Sequence, residues 1–322
     1  MDLFSPLEIR KVLFKNRMVM APMVLNCAGT DGSVTTEFKD FYTARARGGV
    51  GYIVLGGTYV HNDGRGFGRQ LGIDRDSLVP GLADLASTIR QDAHLGVQLS
   101  FKSVGRFPET FSLSKIRSYR RAFVQAARRA MQAGFTAVEL HACHDYWLNF
   151  FLSPHFNHRT DLYGGPLENR FRLLGEIAEE IISAVGHEIL VGVRLSMTDF
   201  VDGGLGLDET LEIGCRLEAV GVDYLSASAG IGLTSSGCRR PPMSPGEGSW
   251  FTVGLSSSGS RSPLSAWAGW TAPGFSGRPW KGGMSVWPPR RGPSLPIRSM
   301  PPRSSRAART RSGPAWPATI AS

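Results

Sequence analysis

The chain has 322 residues and a formal net charge of +9, enough length for one large α/β barrel or two ordinary domains. The charge is unevenly placed: residues 1–235 hold 24 basic and 26 acidic side chains, whereas residues 236–322 hold 12 basic ones and a single acid, Glu247. The body is thus nearly neutral and no specific nucleic-acid partner is expected; no apolar run approaches the roughly 18–20 residues of a membrane span.

Cys27, Cys143, Cys215 and Cys238 form no CxxC pair and no disulfide-like rhythm. Met1–Asp2 lead straight into mixed sequence, so no cleavable leader is expected and the cytoplasm is the default compartment.

In chain order, RMVMAP (Arg17–Pro22) reads as a first buried strand. Thr36 to Arg47 has helical spacing and runs into Gly48–Gly49; Tyr52 to Leu55 is a second apolar strand, closed by Gly56–Gly57. Pro80 to His94 is helical with Pro80 in its first turn. Gly96 to Ser100 is a third strand, and Ser114 to Ala133 a long amphipathic helix opened by a Ser cap. Ala137 to Leu140 is a fourth strand, Leu167 to Val185 a helix, Leu190 to Ser196 a fifth strand, Leu207 to Val220 a helix and Asp223 to Ser228 a sixth strand.

Six β-α repeats with short Val/Ile/Leu-rich strands argue for a parallel sheet. A unit length of about 30–40 residues suits a (β/α)8 TIM barrel, with a doubly wound sheet as the alternative. Only about six units are recognisable, and the rest reads as an irregular C-terminal tail.

His141, His144 and Tyr146 leave the end of the fourth strand together, where a parallel α/β protein keeps its chemistry. Three readings compete. The histidines could ligate a metal with Cys143, His155 or His158, although the cluster lacks a regular zinc spacing; no metal is expected. They could be hydrogen-bonded core residues. They could also aim two neutral N–H groups at one substrate oxygen, stabilising developing negative charge, with the Tyr146 phenol as proton donor.

The segment HACHDYWLNFFLSPHFNHRTDLYGGPLENR (His141–Arg170) resembles the HxxHxY…FLSP…NxRxDxYGGsxENR signature of the old yellow enzyme family. LFSPLEI (Leu3–Ile9), KNRMVMAPM (Lys15–Met23), GGVGYIV (Gly48–Val54) and VGVRLS (Val191–Ser196) extend the resemblance over residues 2 to about 230. It implies an FMN-dependent NAD(P)H oxidoreductase on a TIM barrel that reduces an electron-poor alkene or enoyl substrate. Pro22 and Met23 would lie against the flavin, Gly57 would let the ring approach backbone, and Gln98 would bond its pyrimidine edge. Arg194 would place positive charge near N1–C2=O, suiting a cofactor that becomes anionic when reduced. His141 and His144 would bind the activating group and Tyr146 would protonate carbon.

Departures from the pattern accompany the match. Val24 stands where the family has Thr or Cys, QLSFKSVGR (Gln98–Arg106) replaces QLxHxGR, and Cys143 and Asp145 replace the usual Ala and Gly. These bear on potential and substrate class. The choice of NADH or NADPH and the oligomeric state are left open.

The domain reading is an incomplete FMN-binding body, residues 1–235, followed by a basic Pro/Arg/Ser/Gly/Trp-rich tail, 236–322, with 14 of the 20 prolines and six of the seven tryptophans. Such a composition reads as disordered. The family's strand-seven and strand-eight phosphate turns are missing from it, and a frameshift is the expected cause. Reading each codon with the last base of its predecessor forces Gly and Asp opposite Ala268 and Thr271, because Trp has one codon. The shifted frame also permits a CxxCN motif across Ala315–Thr319, like that of relatives with an iron–sulfur cluster. The alternative function is a non-catalytic remnant that binds FMN weakly or not at all.

Overall fold

The computed structural model describes residues 2–231 and the backbone of Val253–Gly254. The expected boundary at 235/236 and the motifs of the tail lie outside the described residues.

A short antiparallel hairpin comes first, β1 (Leu7–Ile9) and β2 (Val12–Phe14), which the sequence reading does not anticipate. Then follow β3 (Val19–Met20), α1 (Thr36–Arg47), β4 (Tyr52–Tyr59), α2 (Val79–Arg90), β5 (His94–Ser100) and α3 (Leu113–Gln132). After them come β6 (Ala137–Ala142), α4 (Trp147–Leu152), α5 (Leu167–Val185), β7 (Leu190–Ser196), α6 (Leu207–Val220), β8 (Tyr224–Ser228) and β9 (Val253–Gly254).

The strands pair in strict sequence order, β3 to β9, parallel as far as β8 and antiparallel at β9. That order decides between the two expected architectures. A doubly wound sheet reverses its strand order at a switch point; a barrel wall never does. The described residues build the wall of a TIM-type barrel, a curled sheet of six parallel strands, β3–β8. The sheet curls: Tyr52 on β4 and Tyr224 on β8 bring their hydroxyls within 3.0 Å, although four strand spacings on a flat sheet would separate them by about 19 Å.

Period-two alternation sorts the strand residues into two cores. Ile53, Leu55, Val97, Leu99, Val138, Leu140, Val191, Val193 and Leu195 face the helices and join one large apolar cluster. Opposite parity puts Tyr52, Val54, Ala137, Leu190 and Tyr224 inside, where Ile9 and Phe14 of the hairpin join them. Gly96 and Gly192 make room for these tyrosines: a Cβ at Gly96 would stand 2.2 Å from the Tyr52 hydroxyl, and one at Gly192 2.1 Å from the Tyr224 ring.

Helices begin and end for local reasons. The Thr35 hydroxyl accepts from the Phe38 amide at the start of α1, and the Ser112 hydroxyl from Lys115 at the start of α3. The buried stripe Ile116, Tyr119, Phe123, Ala126, Ala127 and Ala130 has the i, i+3, i+4 spacing that lays α3 on the sheet.

Several element boundaries differ from expectation, most by one or two residues, and three differences have a clear local cause. The first strand shrinks to Val19–Met20 because the chain beyond it lifts across β4, where a Cβ on Gly56 would lie 1.9 Å from the Met23 carbonyl. β4 in turn runs through Gly56–Gly57 to Tyr59, with a register shift between Leu55 and Thr58. α2 stops at Arg90, not His94, because the Asp92 and Ala93 amides both turn back on the Ile89 carbonyl. Among the described residues no helix is long and apolar enough to cross a membrane.

Candidate active site

β6 carries His141 as an inward residue near its carboxyl end, paired in register with Arg194 of β7. The chain then reverses sharply through two consecutive left-handed residues, His144 at φ 60° and Asp145 at φ 54°. A left-handed non-glycine costs roughly 1–2 kcal/mol, which explains why glycine suits the second position in the related pattern. Local bonds offset the strain: the Asp145 amide donates to Asn149 Oδ1 at 2.9 Å, and the Tyr146 amide to the Cys143 carbonyl. Tyr146 then precedes α4, whose first residue, Trp147, donates its amide to the Phe101 carbonyl after β5.

The reversal gathers the three expected side chains. His141 Nε2 lies 3.2 Å from His144 Nδ1, and the Tyr146 ring stacks on the His141 ring with centroids 3.9 Å apart. His144 Nε2 reaches Ser228 Oγ of β8 at 2.6 Å. Cys143 Sγ sits 3.3 Å from His144 Nδ1.

Electrostatics fix the protonation states. Burial, then the charges of Arg194 and Lys102, pushes the His144 imidazole down to about 4. Burial, reinforced by His144, Arg194 and Lys102, holds His141 well below the ordinary histidine range. Both are neutral at pH 7. Burial, followed by Asp145 and Cys143, raises the Tyr146 phenol, which therefore keeps its proton.

Below the histidines lies a polar layer. Arg194 is 2% exposed and donates to Ser226 Oγ at 2.5 Å; Gln98 of β5 donates to Glu139 Oε1 at 2.8 Å. Glu139, 1% exposed, has its carboxyl raised by burial and lowered again by the Arg194 charge, the Gln98 amide, and the Tyr224 and Ser226 hydroxyls. The layer is thus a buried guanidinium and a buried carboxyl held among hydrogen-bonding neutral groups.

Pro22 and Met23 lie just past β3 at the same carboxyl end of the sheet, Met23 being 53% exposed. Gly57 is fully enclosed: a Cβ there would meet Ser100 Oγ at 3.1 Å and Val24 Cγ2 at 3.4 Å, and its carbonyl accepts from Gln70. The close approach at this point is made by protein; the tighter glycine is Gly56. His155 and His158 stand apart, His155 bonding the Asp202 carbonyl.

Three participants escaped sequence reasoning. Lys102, in the lengthened loop after β5, pairs with Asp145 at 2.8 Å and places its Nζ 4.6 Å from the Tyr146 ring centroid. Ser228 orients His144. Glu139 ties Gln98 to the charge of Arg194, and its signal was legible: a carboxylate inside an apolar strand has to find donors.

A family model described as the NADH:flavin oxidoreductase / NADH oxidase family matches residues 2–106 and 98–233. An NADPH dehydrogenase of Geobacillus sp. (strain WCH70) is 37% identical over 249 residues, 71% of this chain and 73% of its own length. An NADH oxidase of Thermoanaerobacter brockii is 36% identical over 255 residues, again 71% of this chain but 39% of its own. A solved 2-naphthoyl-CoA reductase–2-naphthoyl-CoA complex superposes with a TM-score of 0.67 at 31% identity, over 71% of this chain and 40% of that one. The chain therefore spans well under half the length of some of its relatives and nearly three quarters of others.

Proposed function

The chain belongs to the NADH:flavin oxidoreductase / NADH oxidase family, and from that premise we propose that it is an FMN-dependent NAD(P)H oxidoreductase acting on an electron-poor C=C bond. The observation that carries the reading is the cluster at the end of β6: the buried His141 imidazole stacked on a phenol that keeps its proton, with the partly buried His144 imidazole against it, both imidazoles neutral. The relatives' names, NADPH dehydrogenase and NADH oxidase, support the reductant. The 2-naphthoyl-CoA bound by the structural neighbour supports an enoyl- or aryl-thioester class of substrate.

The residues present fit the ring of FMN by their donor chemistry. Arg194 and Gln98 form a buried layer of donors suited to the pyrimidine edge, with Glu139 as the counter-charge that lets a guanidinium stay there. Pro22 and Met23 would lie beside the ring, and Gly56–Gly57 keep side chains off the adjoining stretch of β4. When bound, FMN supplies a hydride that NADH or NADPH has provided. His141 and His144 would turn their N–H groups from each other and from Ser228 onto the substrate's carbonyl oxygen, stabilising the charge that develops there. Tyr146 Oη would deliver the proton to the carbon next to that carbonyl, and Lys102 and Asp145 would hold the phenol in place.

The test is spectroscopic. The purified chain is mixed with FMN, passed through gel filtration and examined for retained flavin absorbance and its bleaching by NADH or NADPH. Retained, bleachable flavin with turnover of an enone is expected. Tyr146→Phe should then lower alkene turnover by about 10²–10⁴-fold and leave bleaching unchanged; equal loss of both would overturn the role given to Tyr146.

A second reading, a non-catalytic remnant, is favoured by one observation: the family match ends at residue 233, where the composition changes and the expected phosphate turns fail to follow. A chain that elutes colourless at saturating FMN supports this reading against the first.

A further inference from the structure

Cys143 has no part in the proposed reaction, yet it stands beside both histidines. His141 Nε2 and Cys143 Sγ lie 3.2 Å and 3.3 Å from His144 Nδ1, and the three side chains each offer a ligand atom within 4.8 Å of the others. Zinc bound tetrahedrally, with Zn–N near 2.0–2.1 Å and Zn–S near 2.3 Å, separates its ligand nitrogens by about 3.3 Å and nitrogen from sulfur by about 3.6 Å. The two measured contacts fall within a few tenths of an ångström of those edges. The left-handed turn at His144–Asp145 produces this convergence from ligands only two and three residues apart.

The surroundings suit a thiophilic cation. His141 and Cys143 are buried, so water competes poorly for the position, and a thiolate offsets one of the two charges of a divalent ion. Two cations face the cluster and each has a carboxyl beside it: Glu139 lies within electrostatic reach of Arg194 and Cys143, and Asp145 pairs with Lys102. Two nitrogens and one sulfur leave a fourth position open, the composition of a zinc site that keeps an exchangeable ligand.

We propose that His141, Cys143 and His144 form a binding site for zinc(II). The Zn–S bond forms as the Cys143 thiol gives its proton to solvent, each imidazole contributes a lone pair, and no redox change occurs. Occupancy withdraws both imidazoles from any substrate oxygen. The site goes beyond the oxidoreductase reading and needs no flavin, so it stands or falls separately.

Cobalt(II) serves as the probe, added to the full chain freed of FMN. One equivalent should produce a thiolate-to-cobalt charge-transfer band with tetrahedral ligand-field absorbance, both removed by zinc. Cys143→Ala, and Cys143→Ser as a variant closer in volume, should lose the charge-transfer band and weaken zinc binding at least tenfold, as should His144→Ala; Cys27→Ala should change neither. Circular dichroism confirms that each variant is folded. No band in the parent chain, or a band that survives both Cys143 substitutions, overturns the proposal.

Discussion

His144 and Arg194 show how burial sets chemistry one residue at a time. The folded-state pKa of His144, about 4, lies below its ordinary value of 6.5, and His141 is shifted in the same direction. Between those values the unfolded chain binds more protons than the folded one, so stability must fall as pH drops through that window. We expect urea midpoints to decline from pH 7 to pH 4.5, and His144→Gln to flatten the slope by up to about 1.4 kcal/mol per pH unit. An unchanged slope would place His144 in solvent. Arg194 and Glu139 are both at most 2% exposed. Removing only one leaves the other's charge buried, a loss of about 3–5 kcal/mol. Arg194→Met should therefore destabilise strongly, and adding Glu139→Gln should restore part of the loss; additive losses in the double-mutant cycle would show that the two charges do not interact.

At the scale of elements, the informative positions are those where backbone meets backbone. A methyl at Gly56 would fall 1.9 Å from the Met23 carbonyl and 2.6 Å from the Val24 amide. Neither is a flexible side-chain end, so Gly56→Ala must push the Pro22–Val24 segment off β4. We expect a loss of at least about 1–3 kcal/mol, measured by chemical denaturation, and weaker retention of any flavin. The neighbouring Gly57, although named by the family resemblance, meets only the Ser100 and Val24 side chains at 3.1 Å or more; Gly57→Ala should be the milder change. Equal effects at the two positions would contradict the packing described for β3 and β4.

For the whole molecule, the question is closure. Six parallel strands in sequence order build most of a barrel wall, and TIM barrels commonly bind phosphate on the loops after strands seven and eight. The residues that would supply those loops lie outside the described ones. If a frameshift explains the tail, sequencing the gene and restoring one base should yield a chain with the Gly and Asp forced opposite Ala268 and Thr271. The restored chain should bind FMN at least tenfold more tightly than the chain as written. Equal retention by the two would sink the frameshift account of function, and a shifted frame lacking those motifs would sink the frameshift itself.

The sequence by itself determined the repeat, the helices Thr36–Arg47, Leu167–Val185 and Leu207–Val220, the strand Leu190–Ser196 and the set His141, His144 and Tyr146. These depend on local periodicity, on capping and on a motif contiguous along the chain. Tertiary structure alone decided that the sheet is a curled barrel wall, because the order of strands is a property of their pairing. It alone divided each apolar strand into an outer core and an inner polar layer, linking Gln98, Glu139, Arg194 and Ser226 across four strands. It likewise brought Lys102 to Tyr146 and Ser228 to His144, partners 44 and 84 residues apart. The physical reason is common to all of these. Periodicity and caps are energies of neighbours along the chain, whereas a buried charge finds its partner in whichever strand the curl of the sheet places opposite.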